Sequence, residues 1–439
     1  MAELLAGVGR QNVTPKIGTP LYGYFDRDEP SNGIHDDLWA RALVLDDGES
    51  RVALCSIEVC VFRAREVAQL RAAVAARCGL KADDVFVFAT HSHAAPSGHD
   101  PNYWHRPLVD LVADAIVQAF DSRQPARAGA AGGFLYGYNI NRRWMDRPAD
   151  PAVGVLRVET RAGQPLAVLG NYACHSVVLG SNNLLISGDW PGYASRLLEA
   201  HFAGGSDSDF VALFSQGGAG DVNPLTETVR QRLAAGHPVA SIYQLAPYYG
   251  YGERQDTHTW SIDERKNGTF DEAETIARAY RDEVLRVWRG IQPSADARLW
   301  MEHVIVNAAA DADEPRGEGL SDWYREQLPE IKDGYIPLEI RLVGVGNVVL
   351  VGHPGETFSE DSIKLRQICQ QMGYYHAMLV TYANGSYAYL PPSNAFNEGG
   401  YEVSWPLRYG ISRHVQDRIY DAIAPILRLH VPQRVTRTT

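Results

Sequence analysis

Short apolar runs alternate with helical patterns along almost the whole chain, and this rhythm limits the folds open to it. "RVALCSI" (51–57) reads as a buried strand. Residues 64–78 form the next element, an amphipathic helix with Val67, Leu70 and Val74 on one face and Gly79 just past its end. "DVFVFAT" (84–90) is a strand, and 107–120 a helix opened by Pro107. "PLAVLGNYA" and "DFVALFS" are strands, with a helix over 192–202 between them. Apolar residues at 273, 276, 277, 280, 284 and 287 mark a helix over 273–288. "IPLEIRLVGVGNVVLVG" (336–352) reads as two strands around a tight Val-Gly-Asn turn. A helix over 358–372, the strand "AMLVTY" and a closing helix over 411–429 complete the series. The expected fold is α/β, with a central mixed, largely parallel sheet flanked by helices on both faces. No internal repeat or low-complexity linker interrupts it, so 1–439 is expected to be a single catalytic domain. Two stretches break the rhythm: 225–270, with its tyrosine-rich "QLAPYYGYGERQDTHTW", and the acidic 311–335. Such long loops are either lids over a site or surface insertions.

The residues just beyond each strand carry the chemistry. "VFVFAT" runs into His91 and His93, and "AVLGNYAC" into His175. "FVALFS" runs into "QGGAGDVNP", and "NVVLVGHPG" into Glu356. "AMLVTYANGSYAY" carries Tyr387 and Tyr389 beyond its end. Ligands of open α/β sheets sit outside the carboxyl ends of the strands, so one edge is expected to collect these groups. Histidine, carboxylate and phenol oxygen suit a borderline cation such as Zn2+. Each piece alone has a plain structural reading. His-x-His pairs and single buried histidines are common in cores, and Glu356 also suits a helix N-terminus. Their joint placement is what favours a metal.

Composition narrows the partners. The chain of 439 residues has a formal net charge of −12 and a pI near 5.6. That charge disfavours nucleic acid and anionic membrane surfaces. No run approaches the roughly 20 apolar residues of a membrane span. The start "MAELLAGVGRQNVTPKIG" lacks a basic and apolar leader pattern. Five scattered cysteines without CxxC spacing read as reduced thiols. These features point to the cytoplasm and a small-molecule substrate; a homo-oligomer is compatible with them.

In order along residues 8–405 stand "THSH" (90–93), "NINR" (139–142), "NYACH" (171–175), "NNLLISGDWPGYAS" (182–195), "GDVNP" (220–224), "PGETF" (354–358) and "YAYLPPSNAFNEGGYE" (387–402). With these motifs the chain resembles the catalytic N-terminal domain of the neutral/alkaline (non-lysosomal) ceramidases. The resemblance implies an α/β fold with one zinc ion per chain at the carboxyl edge of the sheet, held by His91, His175, Glu356 and Tyr389. It matches His93 to the family's second His-x-His histidine, Arg142 to the arginine of its NxNR motif, and Tyr401 to a second tyrosine. Two departures stand out. Asn223 replaces a serine once proposed as a nucleophile, and an amide cannot take that role. The family's C-terminal immunoglobulin-like domain has no counterpart before Thr439, which suggests a short, bacterial-type member.

The activity that the resemblance implies is zinc-assisted hydrolysis of an amide; the lack of a leader pattern, of a membrane-binding stretch and of the family's extra domain points to a small soluble acyl compound rather than ceramide. Bound zinc acidifies a water towards pH 7. His93 is then expected to act as general base, with Arg142 and Tyr401 stabilising the developing oxyanion. Asn223, Trp144 and Trp190 are expected beside the substrate, the tryptophans narrowing the entrance; both also suit a plain core. Asp189 and Asp221 read as structural caps or ligand-orienting groups, and Cys174 as a core residue. An esterase or lactonase would use the same groups, and a catalytically silent metal-binding protein is the remaining alternative. A metal-dependent amidohydrolase barrel would need eight regular βα units, which the glutamate and tyrosine pieces do not suit.

Overall fold

The computed structural model describes residues 3–24, 27–203, 209–235, 267–317, 319, 326, 328–332 and 334–432. Two sheets dominate it. The larger has eight strands in the order Val211–Gln216, Pro165–Tyr172, Ala152–Thr160, Gln124–Phe134, Leu5–Asn12, Trp39–Asp46, Arg51–Ile57 and Val85–Ala89. The smaller has four, in the order Leu299–Asn307, Pro337–Val345, Val348–Gly352 and His376–Val380. The sheets face each other across a shared core. Leu43, Phe86, Phe88, Leu156, Leu169 and Leu213 of the large sheet meet Val343, Leu350, Met378 and Val380 of the small one.

Helices cover both outer faces. Ala64–Arg77 and Leu108–Asp121 pack on one half of the large sheet, Asp189–Ala203 and Phe270–Gly290 on the other. Ser359–Met372 and Val415–Leu429 cover the small sheet. The result is four layers, helix–sheet–sheet–helix. Phe270–Gly290 shows why such helices form. Thr269 caps its first turn through Glu272 N, and Ala273, Ile276, Ala277, Tyr280, Val284 and Trp288 make one buried stripe.

The expectation of a largely parallel sheet is corrected. Five of the seven pairings in the large sheet are antiparallel, as are two of the three in the small one. Connections of four residues (47–50 and 161–164) or two (346–347) can only fold a strand back on its neighbour. The parallel pairs are Arg51–Ile57 with Val85–Ala89, Pro165–Tyr172 with Val211–Gln216, and Val348–Gly352 with His376–Val380. Those six strands are the ones whose carboxyl ends lead into the candidate site. The sheets also join there through backbone bonds: Ala89 N to Tyr382 O (3.2 Å), Asn384 N to Val87 O (2.8 Å) and Thr381 N to Gln216 O (3.0 Å). Most of the tyrosine-rich loop (236–266) lies outside the described residues, as does part of 311–335.

Candidate metal centre

His91 stands two residues beyond its strand, in a left-handed conformation (φ 63°). That turn brings the ring back over the strand end, where Tyr382 stacks on it at 3.9 Å. Its Nδ1 bonds Cys60 O at 2.8 Å, which turns Nε2 inward. His175 is set the same way: Nδ1 bonds Ala219 O at 2.9 Å, and Nε2 lies 3.1 Å from His91 Nε2. Both backbone carbonyls accept a hydrogen bond from Nδ1, so the tautomer is assigned and both Nε2 atoms present lone pairs. His93 Nε2 is a further 3.1 Å from His91 Nε2. Glu356 completes the cluster, with Oε1 3.8 Å from His91 Nε2 and Oε2 3.7 Å from His175 Nε2. His91, His175 and Glu356 thus offer three ligand atoms within 4.8 Å of one another.

The chemistry of this set fits a divalent cation. Two nitrogen lone pairs facing each other at 3.1 Å repel unless a cation lies between them, and nitrogens sharing one tetrahedral zinc sit roughly 3.3 Å apart. Burial holds all three histidines in the neutral, ligand-competent form. It pushes His91 down to about 3, and it holds His93 and His175 well below their ordinary value, with the neighbouring imidazoles and Arg142 adding to the effect. Burial also pushes Glu356 up to about 7, a carboxylate lacking a full counter-charge. A bound cation would supply that charge.

Tyr389 lies beyond the small sheet in a two-residue strand that runs parallel to Glu356–Thr357, in register Glu356 with Tyr389. Its hydroxyl accepts a bond from Arg142 Nη2 at 2.9 Å and bonds the Glu356 carboxylate. Arg142 is fully enclosed. Its Nη1 donates to Asn223 Oδ1 (3.2 Å) and its Nε to Glu402 Oε1 (2.9 Å). Tyr401 packs edge-on against Tyr389 at 5.6 Å. A cavity of about 190 Å³ opens onto this group, its wall shared by His91, His93, Glu356, Tyr389, Tyr401 and Trp405. The second cluster of donor atoms, Cys60 with His91 and His93, borders the same cavity.

The two aspartates brace the surroundings. Asp221 accepts from Ser359 N (2.8 Å) and Asn141 Nδ2 (2.7 Å); Asp189 accepts from Leu179 N (3.0 Å) and Trp190 N (2.6 Å). Burial pushes Asp221 up to about 6 and Asp189 to about 7. Cys174 faces the core, its Sγ 3.8 Å from Tyr138 O.

The structure brings His91, His93, His175, Glu356, Tyr389, Tyr401, Arg142 and Asn223 together. It places both tryptophans elsewhere. Trp190 is fully buried among Tyr172, Phe214 and Tyr280, and touches the site only through Nε1 to His175 O (3.2 Å). Trp144 bonds Glu398 through Nε1 at 2.9 Å and stacks under Arg147. Neither borders the cavity, and neither do Asn223, Arg142 and His175. Several cavity residues escaped sequence reasoning: Tyr22, Gly23 and Tyr24, Arg63, Trp405 and Tyr409. They stand at no strand end, and only the Tyr-Gly-Tyr pattern of 22–24 hints at a tight aromatic wall.

Residues 4–286 match the family described as neutral/alkaline non-lysosomal ceramidase, N-terminal, which is well over half of the chain. The chain belongs to this family. Among the ceramidases it resembles, neutral ceramidase A of Dictyostelium discoideum is 31% identical over 254 residues, covering 50% of this chain and 36% of that protein. Neutral ceramidase B of the same organism is 29% identical, covering 62% and 41%. The chain thus spans less than half the length of these two relatives. The neutral ceramidase of Mycobacterium tuberculosis is 23% identical over 91% of this chain and 73% of its own. The crystal structure of neutral ceramidase from Pseudomonas aeruginosa superposes with a TM-score of 0.72 at 20% identity, over 99% of this chain and 76% of that one. That likeness extends the ceramidase fold through the small sheet, beyond the matched family region. No described helix is long and apolar enough to cross a membrane.

Proposed function

We propose that this chain is a zinc-dependent hydrolase of an amide bond in a small acyl compound. The observation that carries the reading is the convergence of His91 Nε2, His175 Nε2 and the Glu356 carboxylate, with His91, Glu356 and Tyr389 on the wall of one cavity and Arg142 bonded to Tyr389. His91, His175, Glu356 and Tyr389 would hold one Zn2+. When bound, the ion supplies an acidified water and polarises the substrate carbonyl.

The chain's own groups do the rest. His93 Nε2, facing the ligand nitrogens, takes the proton released as water attacks and delivers it to the departing amide nitrogen. Arg142 uses three of its five N–H groups on Glu402, Asn223 and Tyr389. The two that remain are assigned to the developing oxyanion, together with Tyr401, which lines the cavity. Asn223 serves as an acceptor that orients Arg142, a role open to an amide and independent of a serine hydroxyl. Water being the nucleophile, no acyl-enzyme forms.

Ceramide itself is the substrate named for the relatives. The cavity here is walled by Tyr22, Tyr24, Tyr401, Trp405 and Tyr409, which supports a short N-acyl group over a two-chain lipid. The test is metal analysis of the purified protein, then a release assay over N-acyl amines, N-acyl amino acids, lactones and esters. One zinc per chain and amide turnover are expected. Preferential lactone or ester turnover would replace the amide reading, and a zinc-free active protein would end it.

A further inference from the structure

Glu402 lies one residue past Tyr401, at the start of the helix Tyr401–Tyr409, and its side chain is fully buried. It stands between two arginines. Oε1 accepts from Arg142 Nε at 2.9 Å, and Oε2 accepts from Arg143 Nη1 at 2.8 Å. Arg143 Nη2 in turn reaches Gly399 O (2.9 Å) and Glu398 (3.2 Å), and Glu398 also receives Trp144 Nε1 and both terminal nitrogens of Arg147. Arg142 and Arg143 are therefore tied through Glu402 to the helix that also supplies Tyr401 and Trp405 to the cavity wall, and Arg143 and Arg147 to the end of the preceding helix, Ser393–Glu398.

We infer that Glu402 is a positioning residue for catalysis: it fixes the Nε edge of Arg142 so that the Nη edge is held on Tyr389, which lines the cavity beside Glu356. This rests on the hydrolase reading above. A guanidinium is planar, so anchoring one edge sets the direction of the other. Without the carboxylate, Arg142 and Arg143 would share an enclosed space with one negative charge fewer, and Arg142 would turn towards other acceptors. Glu402→Gln keeps the volume but offers one acceptor where two cations need one each.

The test is a double-mutant cycle of Glu402→Gln with Arg142→Lys, read as kcat, KM and zinc content on the best amide substrate. Glu402→Gln is expected to lower kcat about 10- to 100-fold, with zinc retained and KM within about threefold, since the oxyanion contact forms only in the transition state. Combined with Arg142→Lys it should add little, because both changes remove the same contact. Arg143→Met/Glu402→Gln removes the excess cation and keeps a folded protein in hand should Glu402→Gln misfold; it should recover part of kcat. A second readout is the Arg142 Nε–H resonance, protected from exchange in the parent and lost in Glu402→Gln. Full additivity, unchanged kcat, or an effect confined to KM or zinc content would overturn the positioning role. A parent protein that hydrolyses no amide would instead overturn the hydrolase reading, leaving the resonance to report on Glu402 alone.

Discussion

At the level of single residues, the ligand set makes the sharpest demands. His91→Ala or His175→Ala should each strip the ion and abolish turnover; plasma mass spectrometry of the dialysed variants checks this, and a zinc-replete, active His175→Ala protein would sink the assignment. Gly23 tests His93 without touching it. Its φ is +103°, and a Cβ there would lie 2.3 Å from His93 Nδ1. Gly23→Ala should push the imidazole aside and cost at least about tenfold in kcat with zinc retained, approaching the roughly 10²–10⁴ range of general-base losses. Normal kcat in a zinc-loaded Gly23→Ala protein would remove His93 from the mechanism. Tyr401→Phe should lower kcat and leave the metal, because its hydroxyl matters only as charge develops. His91, His93, His175 and Glu356 stood out in the sequence because each lies just beyond a short apolar strand, whereas Tyr389 rested on the family resemblance. Glu402 was legible only as part of a motif. Nothing in a linear string shows that one carboxylate is shared by two distant arginines. Proximity in sequence to His175 or Arg142 likewise does not say which way a large ring points: Trp190 packs in the large sheet's core.

At the level of elements, the parallel strands were easy to read and the antiparallel ones were not. Arg51–Ile57 and Val85–Ala89 are continuous apolar runs buried on both faces. Gln124–Phe134, rich in alanine and glycine, carries no such signal. Its glycines are there because other elements press close: a Cβ on Gly129 would meet Ile291, and one on Gly132 would meet His376. Omitting such strands is what made the sheet look largely parallel. The Gly132–His376 contact also joins the two sheets. Burial, aided by Arg366, pushes His376 down to about 4. The folded state therefore favours neutral imidazole. The group contributes stability that is fully present above its unfolded value near 6.5 and is lost as pH falls through about 4, roughly 3 kcal/mol in all. Urea midpoints of the metal-free protein should drop across that window, and His376→Gln should flatten the drop. Parallel pH profiles for the two proteins would contradict it.

For the whole molecule, the question is what the cavity admits. Short-chain N-acyl compounds are expected to show higher kcat/KM than a ceramide in detergent micelles. A strong preference for ceramide would reverse the small-substrate reading and align this chain with the activity named for its relatives. The same measurement made with the Dictyostelium neutral ceramidase A would show whether any difference is particular to this chain.

The proposed ligand atoms are divided by sequence: two histidines follow strands of the large sheet, encoded before residue 216, and Glu356 and Tyr389 follow strands of the small one, encoded after residue 299. Neither half holds a complete chelate. As the polypeptide leaves the ribosome, the first half emerges with two imidazoles and no carboxylate partner. Tight capture of the ion must wait until the second sheet docks, which makes loading a late checkpoint on assembly. A bound ion would bridge the two sheets that share this core. A chain stopped at residue 286 would hold zinc no better than an ordinary histidine pair, and chelation of the full protein would loosen the seam between the sheets before it melted either one.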